Sequence, residues 1–311
     1  MVALFFSGCV AQGTVQVEAS GSGATPQTPP DSLTPPATPP DSPTESPDGT
    51  STSGSPLQDY SVSGPIAVSS AIESLETSCG TEVTAFVPAE PIPNTLVVLT
   101  HGFARSKEQM AGWAEHMASW GLTTVTPDLC GFIAIDHEQN AADIELVADT
   151  YGAGADVAYV GHSAGGLASL LAAASDRSTL TVLGLDLTDT ALLGVNAASD
   201  VSVPVASLFG EPDLCNAFGS GVAAVAMAPT STALRLNGSD HCDFENPSDG
   251  LCDLACANGT ADDVVTTTLI AGLSTSWLMA MSGADPDAFA WWTAGDPHFD
   301  ALVADGLVTA L

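Results

Sequence analysis

Positive charge is nearly absent from this chain of 311 residues. Four basic side chains, Arg105, Lys107, Arg177 and Arg235, stand against 37 Asp and Glu, for a formal net charge of −33. A surface of that sign repels nucleic acid and anionic lipid headgroups, so neither is expected as a partner. A glycine-rich phosphate loop, a metal-ligand cluster completed by a second close pair, and an internal repeat are also missing, so no cofactor and no metal are implied. No apolar run reads as long enough to span a membrane. Apolar residues nevertheless make up 45% of the chain, the share of a globular core, so the acidity is not a mark of disorder. An acidic, lysine-poor surface is an adaptation to salty surroundings, where counterions screen the self-repulsion.

The residues that are present fall into three segments. Leu4-Phe5-Phe6-Ser7-Gly8-Cys9 closes an apolar N-terminus and resembles a bacterial lipobox, which implies a signal and anchor segment over residues 1–12, lipidated at Cys9, and an exported, envelope-anchored or secreted protein. Residues 13–57 are Pro, Thr, Ser and Gly with almost nothing apolar, including Pro29-Pro30, Pro35-Pro36 and Pro39-Pro40; such a stretch cannot build a core and reads as an extended linker. Residues 58–311 are left as the folded domain, expected to be monomeric. Besides Cys9 there are six cysteines, Cys79, Cys130, Cys215, Cys242, Cys252 and Cys256, an even number that suggests up to three disulfides among fifteen pairings in an exported chain.

Within the domain, strands alternate with helices. Buried strands are predicted at 95–100, 122–126, 156–160, 181–187, 203–209 and 233–237, and helices at 107–120, 138–150, 167–174 and 263–281. That alternation implies an α/β fold: a mostly parallel, doubly wound sheet with helices on both faces. At its centre lies Gly161-His162-Ser163-Ala164-Gly165, ending an apolar β-branched run and opening a small-residue helix. A G-x-S-x-G in the context strand, tight turn, helix is the nucleophile elbow of the α/β-hydrolases, with Ser163 at its apex.

Further segments resemble one branch of that superfamily, comprising chlorophyllases, platelet-activating-factor acetylhydrolases and cutinase-like polyester hydrolases. They are His101-Gly102-Phe103, Ala118 to Leu122 with Val125 to Asp128, Gly184-Leu185-Asp186, Leu214-Cys215-Asn216 and Gly238-Ser239-Asp240-His241. The resemblance covers roughly residues 60–282 and implies the α/β-hydrolase fold and a serine hydrolase acting on carboxylic esters, the substrate being a lipid, a polyester or a small molecule. The alternative is a catalytically silent binding protein on the same fold.

Ester cleavage through a serine needs a base, an acid that orients it, and donors for the oxyanion. Chain order in this fold is nucleophile, acid, histidine. His241, just past the last predicted strand, is the expected base; His298 lies beyond the closing helix. For the acid, Asp186 ends the strand after the elbow helix, at the acetylhydrolase spacing. Asp213 ends the following strand, where polyester hydrolases place theirs, and Asp189 is a third option. Asp186 is favoured and Asp213 is its rival. The superfamily takes its oxyanion donors from the backbone N–H groups that fall here at Phe103 and Ala164, and the Phe103 ring would wall the serine on one side. His101 and His162 are assigned to packing or turn hydrogen bonding. The loops of Cys215 and Cys242 must converge if both sit at the carboxyl edge of the sheet, so a bridge between them, or from either to Cys252 or Cys256, is expected.

Overall fold

Consecutive apolar residues in Thr95–Thr100 (β3) are all buried, because helices cover both faces of the sheet at this point. Leu96 and Val98 enter one core, Val97 and Leu99 the other. The computed structural model describes residues 57–131 and 135–311; the expected anchor at Cys9 and the linker up to residue 56 lie outside the described residues. Among these residues nine strands form one mixed sheet, mostly parallel, with helices on both sides.

β1 (Val68–Leu75) and β2 (Thr81–Pro88) form an antiparallel edge, and β2 pairs antiparallel with β4 (Thr123–Pro127). From β4 the sheet runs in parallel through β3, β5 (Asp156–His162), β6 (Thr179–Leu185), β7 (Val205–Phe209) and β8 (Ser231–Leu236). β9 (Val308–Ala310) closes the far edge antiparallel to β8. The chain moves outward from β3 to β4 and then crosses back to β5, so the strand order reverses beside β3. At such a switch point the strand ends splay and leave a crevice at their carboxyl edge.

One face carries α2 (His137–Gly152), α3 (Ala164–Ser175), α4 (Leu193–Ala198) and α5 (Gly221–Met227). The other carries α1 (Ala111–Ser119) and α7 (Asp263–Met281). α6 (Gly250–Cys256) and α8 (Pro297–Ala304) complete the set. The predicted helix over 107–120 begins instead as a 3-10 turn at Lys107–Met110 and becomes α1 only at Ala111.

α7 corrects the expectation that no apolar run is long enough to span a membrane. With 19 residues and a mean hydropathy of 1.4 it passes that test by length and composition, yet 72% of the window is buried inside the fold. It is apolar all round because it is a core helix. Trp277 on it donates its Nε1–H to Thr181 Oγ1 on β6 at 2.9 Å, and Trp292 Nε1–H returns to Leu273 O at 3.0 Å. The segment beyond α7 also packs into the fold. Trp291, Trp292, Phe299 and Val308 all belong to the core on this side.

Candidate active site

Ser163 sits between β5 and α3 with φ 54° and ψ −121°, a conformation costly to any residue with a Cβ. Two hydrogen bonds hold it there: Ser163 N–H donates to Leu185 O at 3.0 Å, and Ser163 O accepts from Thr188 N–H at 3.2 Å. The motif's glycines are required by contact. A Cβ on Gly161 would lie 2.4 Å from the backbone of Gly165, and one on Gly165 would lie 2.4 Å from His101 O. β5, α3 and the turn after β3 approach so closely that only hydrogen fits between them.

Asp186 follows the last residue of β6, also at positive φ (46°), and is completely buried. Three donors converge on its carboxylate. His241 Nδ1 lies 2.6 Å from Oδ2, Gly210 N–H donates to Oδ1 at 3.0 Å, and Asn216 Nδ2 donates at 3.2 Å. His241 follows β8 and opens a 3-10 turn over Cys242–Phe244. Its loop is shaped by Asp240. One oxygen of that carboxylate accepts from Cys242 N–H at 2.8 Å, and the other accepts from Asn258 and Gly259 N–H, both at 2.8 Å.

The rival carboxylates do other work. Asp213 Oδ1 accepts from Cys215 and Asn216 N–H at 2.8 and 3.0 Å, closing its own loop, and Oδ2 accepts from Asn258 Nδ2 at 3.0 Å. Asp189 accepts from Gly194 and Val195 N–H and so caps α4. His298 lies on α8 against Trp291, ring centroids 4.0 Å apart, and borders a different cavity from Ser163.

Ser163 and His241 line one cavity of about 250 Å³ with Gly102, Phe103, Ala104 and Arg105 on one side and Leu251, Cys252, Ala255 and Cys256 of α6 on the other. Among the described residues no hydrogen bond joins Ser163 Oγ to His241. Contacts of this kind are commonly loose until substrate enters. Ala164 is the first residue of α3, where the backbone N–H has no acceptor within the helix. Phe103 occupies the turn Gly102–Arg105 and is 52% exposed, lining the cavity. No described residue accepts a hydrogen bond from either N–H.

Both flanking histidines are buried and neutral in their contacts. His101 donates from Nδ1 to Gly102 O at 2.8 Å and accepts at Nε2 from Leu129 N–H at 2.8 Å, which locks the turn. Burial pushes its pKa down. His162 donates from Nε2 to His241 O at 3.1 Å, and its ring centroid lies 4.5 Å from that of His241. Burial, with His241 adjacent, holds His162 well below the ordinary histidine value. Burial also pushes the Asp243 carboxyl, two residues past His241, up to about 6.

Three disulfides occur among the described residues: Cys79–Cys130, Cys215–Cys256 and Cys242–Cys252. Cys215 and Cys242 do not pair with each other. Each reaches α6 instead, so the Asp213 loop and the His241 loop are tied to opposite ends of one helix that walls the cavity.

Two charged residues at the cavity were not anticipated. Glu245 is buried and accepts both arms of the Arg105 guanidinium, Nε and Nη2, at 2.6 Å. The available signal was positional: two of the chain's four cations, Arg105 and Lys107, fall within four residues of the His-Gly-Phe turn. No protein-family model matches the chain, and no curated protein sequence matches it.

Proposed function

We propose that this protein is a serine hydrolase of the α/β-hydrolase fold that cleaves carboxylic esters through an acyl-enzyme. The observation that carries the reading is the buried hydrogen bond from His241 Nδ1 to Asp186, His241 itself lining the cavity where a strained turn presents Ser163. An imidazole whose Nδ1–H is committed to a carboxylate has a free lone pair on Nε2, the tautomer a general base requires.

In the proposed cycle His241 Nε2 removes the Ser163 hydroxyl proton as Oγ attacks the ester carbonyl. The oxyanion that forms is held by the N–H groups of Phe103 and Ala164. Imidazolium then protonates the leaving alkoxide, the C–O bond breaks, and the acyl group stays on Ser163. Water, deprotonated by the same imidazole, attacks the acyl-enzyme; the bond to Ser163 Oγ breaks, the imidazolium returns its proton to Oγ, and the acid leaves. Asp186 stabilises the imidazolium in both halves, and no step calls for a cofactor.

The cavity wall of Phe103, Leu251 and Ala255 suits a short acyl chain or an aromatic acid. An acid drawn from the strand after the elbow helix agrees with the acetylhydrolase pattern, which supports kinship with that branch. Export is proposed as well. Three disulfides favour an oxidising compartment, whether or not Cys9 carries lipid. A fluorophosphonate probe mapped by mass spectrometry tests the reading. Covalent labelling of Ser163 with turnover of a chromogenic short-chain ester is the expected result. Neither labelling nor turnover would leave the silent binding protein in its place.

A further inference from the structure

Arg105 is buried to within 8% of its side chain's free exposure and Glu245 to within 1%, which makes this pair unlike an ordinary surface salt bridge. The guanidinium presents a fork: Nε and Nη2 donate to the two carboxylate oxygens of Glu245 at 2.6 Å each, and Nη2 lies 3.0 Å from Asp249 Oδ1. A lysine ammonium cannot reproduce that geometry. The partners lie 140 residues apart in sequence and belong to the two sides of the cavity.

On one side, Arg105 is the last residue of the turn that carries Phe103. Its own N–H donates to Gly102 O at 3.3 Å, and Ala104 between them has φ 55°. On the other side, Glu245 ends the 3-10 turn opened by His241, and its N–H donates to Cys242 O at 3.1 Å. A salt-bridge fork therefore joins the turn offering one oxyanion donor to the loop offering the base. The His101 ring secures that turn from the opposite direction, through Leu129. Lys107, two residues on, is tied to Asp128 by its own N–H and by Nζ at 3.0 Å. In a chain with four cations, two are placed where they fix this turn from both sides.

Resting on the hydrolase reading above, we infer that Arg105 is a positioning residue: its bidentate pair with Glu245 sets the distance between the Phe103 N–H and His241. The pair touches no reacting atom. It acts by holding donor and base in the mutual geometry that the transition state needs, so its loss falls on kcat and leaves substrate binding largely intact.

The experiment compares wild type, R105K, R105M and R105M/E245Q by thermal unfolding, fluorophosphonate labelling, and kcat and KM on one chromogenic ester. R105M is expected to lower kcat roughly 10- to 100-fold, as misplacement by a fraction of an ångström to one ångström does elsewhere, with KM moving less than about threefold. R105K is expected to recover part of that loss. R105M leaves a buried carboxylate unpaired and loses stability; the double variant removes that charge, so it should regain melting temperature without regaining kcat. Should R105M fail to fold, the double variant alone decides. Wild-type kcat and KM in R105M/E245Q, or a loss confined to KM, would overturn the positioning role while leaving the hydrolase reading in place. A wild-type chain that neither labels nor turns over ester would remove that reading and the positioning role with it.

Discussion

Replacing Asp186 by Asn probes the site most sharply, because three donors meet on two oxygens there. His241 Nδ1, Gly210 N–H and Asn216 Nδ2 all point at the Asp186 carboxylate, which is 0% exposed. An amide offers one acceptor oxygen and one NH₂. With the oxygen kept on Gly210, the NH₂ replaces Oδ2: it opposes the Asn216 Nδ2 donor and faces His241 Nδ1, which must then accept; the proton moves to Nε2 and the base lone pair is gone. With the amide turned round, NH₂ opposes the Gly210 N–H and leaves a buried donor unsatisfied. Either way the outcome is severe, and the first arrangement predicts a fall in kcat on the order of 10⁴, or about 5.4 kcal/mol of transition-state stabilisation. Asp213→Asn is the matched control, since its oxygen still meets the Cys215 and Asn216 N–H groups; a loss below about tenfold is expected there. The assay is initial-rate hydrolysis of a chromogenic short-chain ester, with melting temperatures to show that both variants fold. D186N retaining more than about a tenth of wild-type kcat, or D213N losing more than D186N, would refute the assignment.

Ser163→Ala should leave the melting temperature close to wild type and reduce ester turnover at least about 10³-fold; turnover above a tenth of wild type would remove the nucleophile. With a net charge of −33, thermal stability should rise as salt goes from 0.1 M to 1 M and the Debye length falls from about 10 to about 3 Å; a flat or falling melting curve would count against a salt-adapted surface. Burial holds His101, His116, His137, His162 and His298 below 6.5, so the unfolded chain binds protons there that the folded chain refuses. Measured at molar salt, stability should therefore drop as pH falls through 6.5, by at most about 1.4 kcal/mol per pH unit for each histidine, with Asp243 opposing below about 6. Cys242→Ser with Cys252→Ser opens a 10-residue loop worth about 2.7 kcal/mol in the chain-entropy model, and kcat should fall too because the bridge follows His241 directly; unchanged kcat would show that α6 does not brace the histidine loop.

What local sequence determined about this protein is what depends on neighbouring residues. The strand Thr95–Thr100 is legible because both its faces are apolar, and the closing helix is legible at its observed bounds, Asp263–Met281, because Asp262 caps it and Gly283 follows it. The turn at Ser163 is legible because glycines mark where backbones meet. β1 is not legible, because an edge strand reading Val-Ser-Ser-Ala-Ile-Glu-Ser-Leu is mostly exposed and carries no buried periodicity. The segment after α7 is not legible as core because it consists of a 3-10 turn at Pro286–Trp291 and one short helix at Pro297–Ala304, each too short to carry a clear apolar period. Only the tertiary structure decided which carboxylate meets His241. Asp186 and Asp213 each follow a strand of the same sheet, and the choice turns on the backbone at Asp186, whose positive φ aims the side chain inward, while Asp213 turns back onto its own loop. The cysteine pairing and the Arg105–Glu245 fork were closed to sequence for the same reason. Each joins residues from 10 to 140 positions apart, and no local preference records which loops a nine-stranded sheet will bring to one edge.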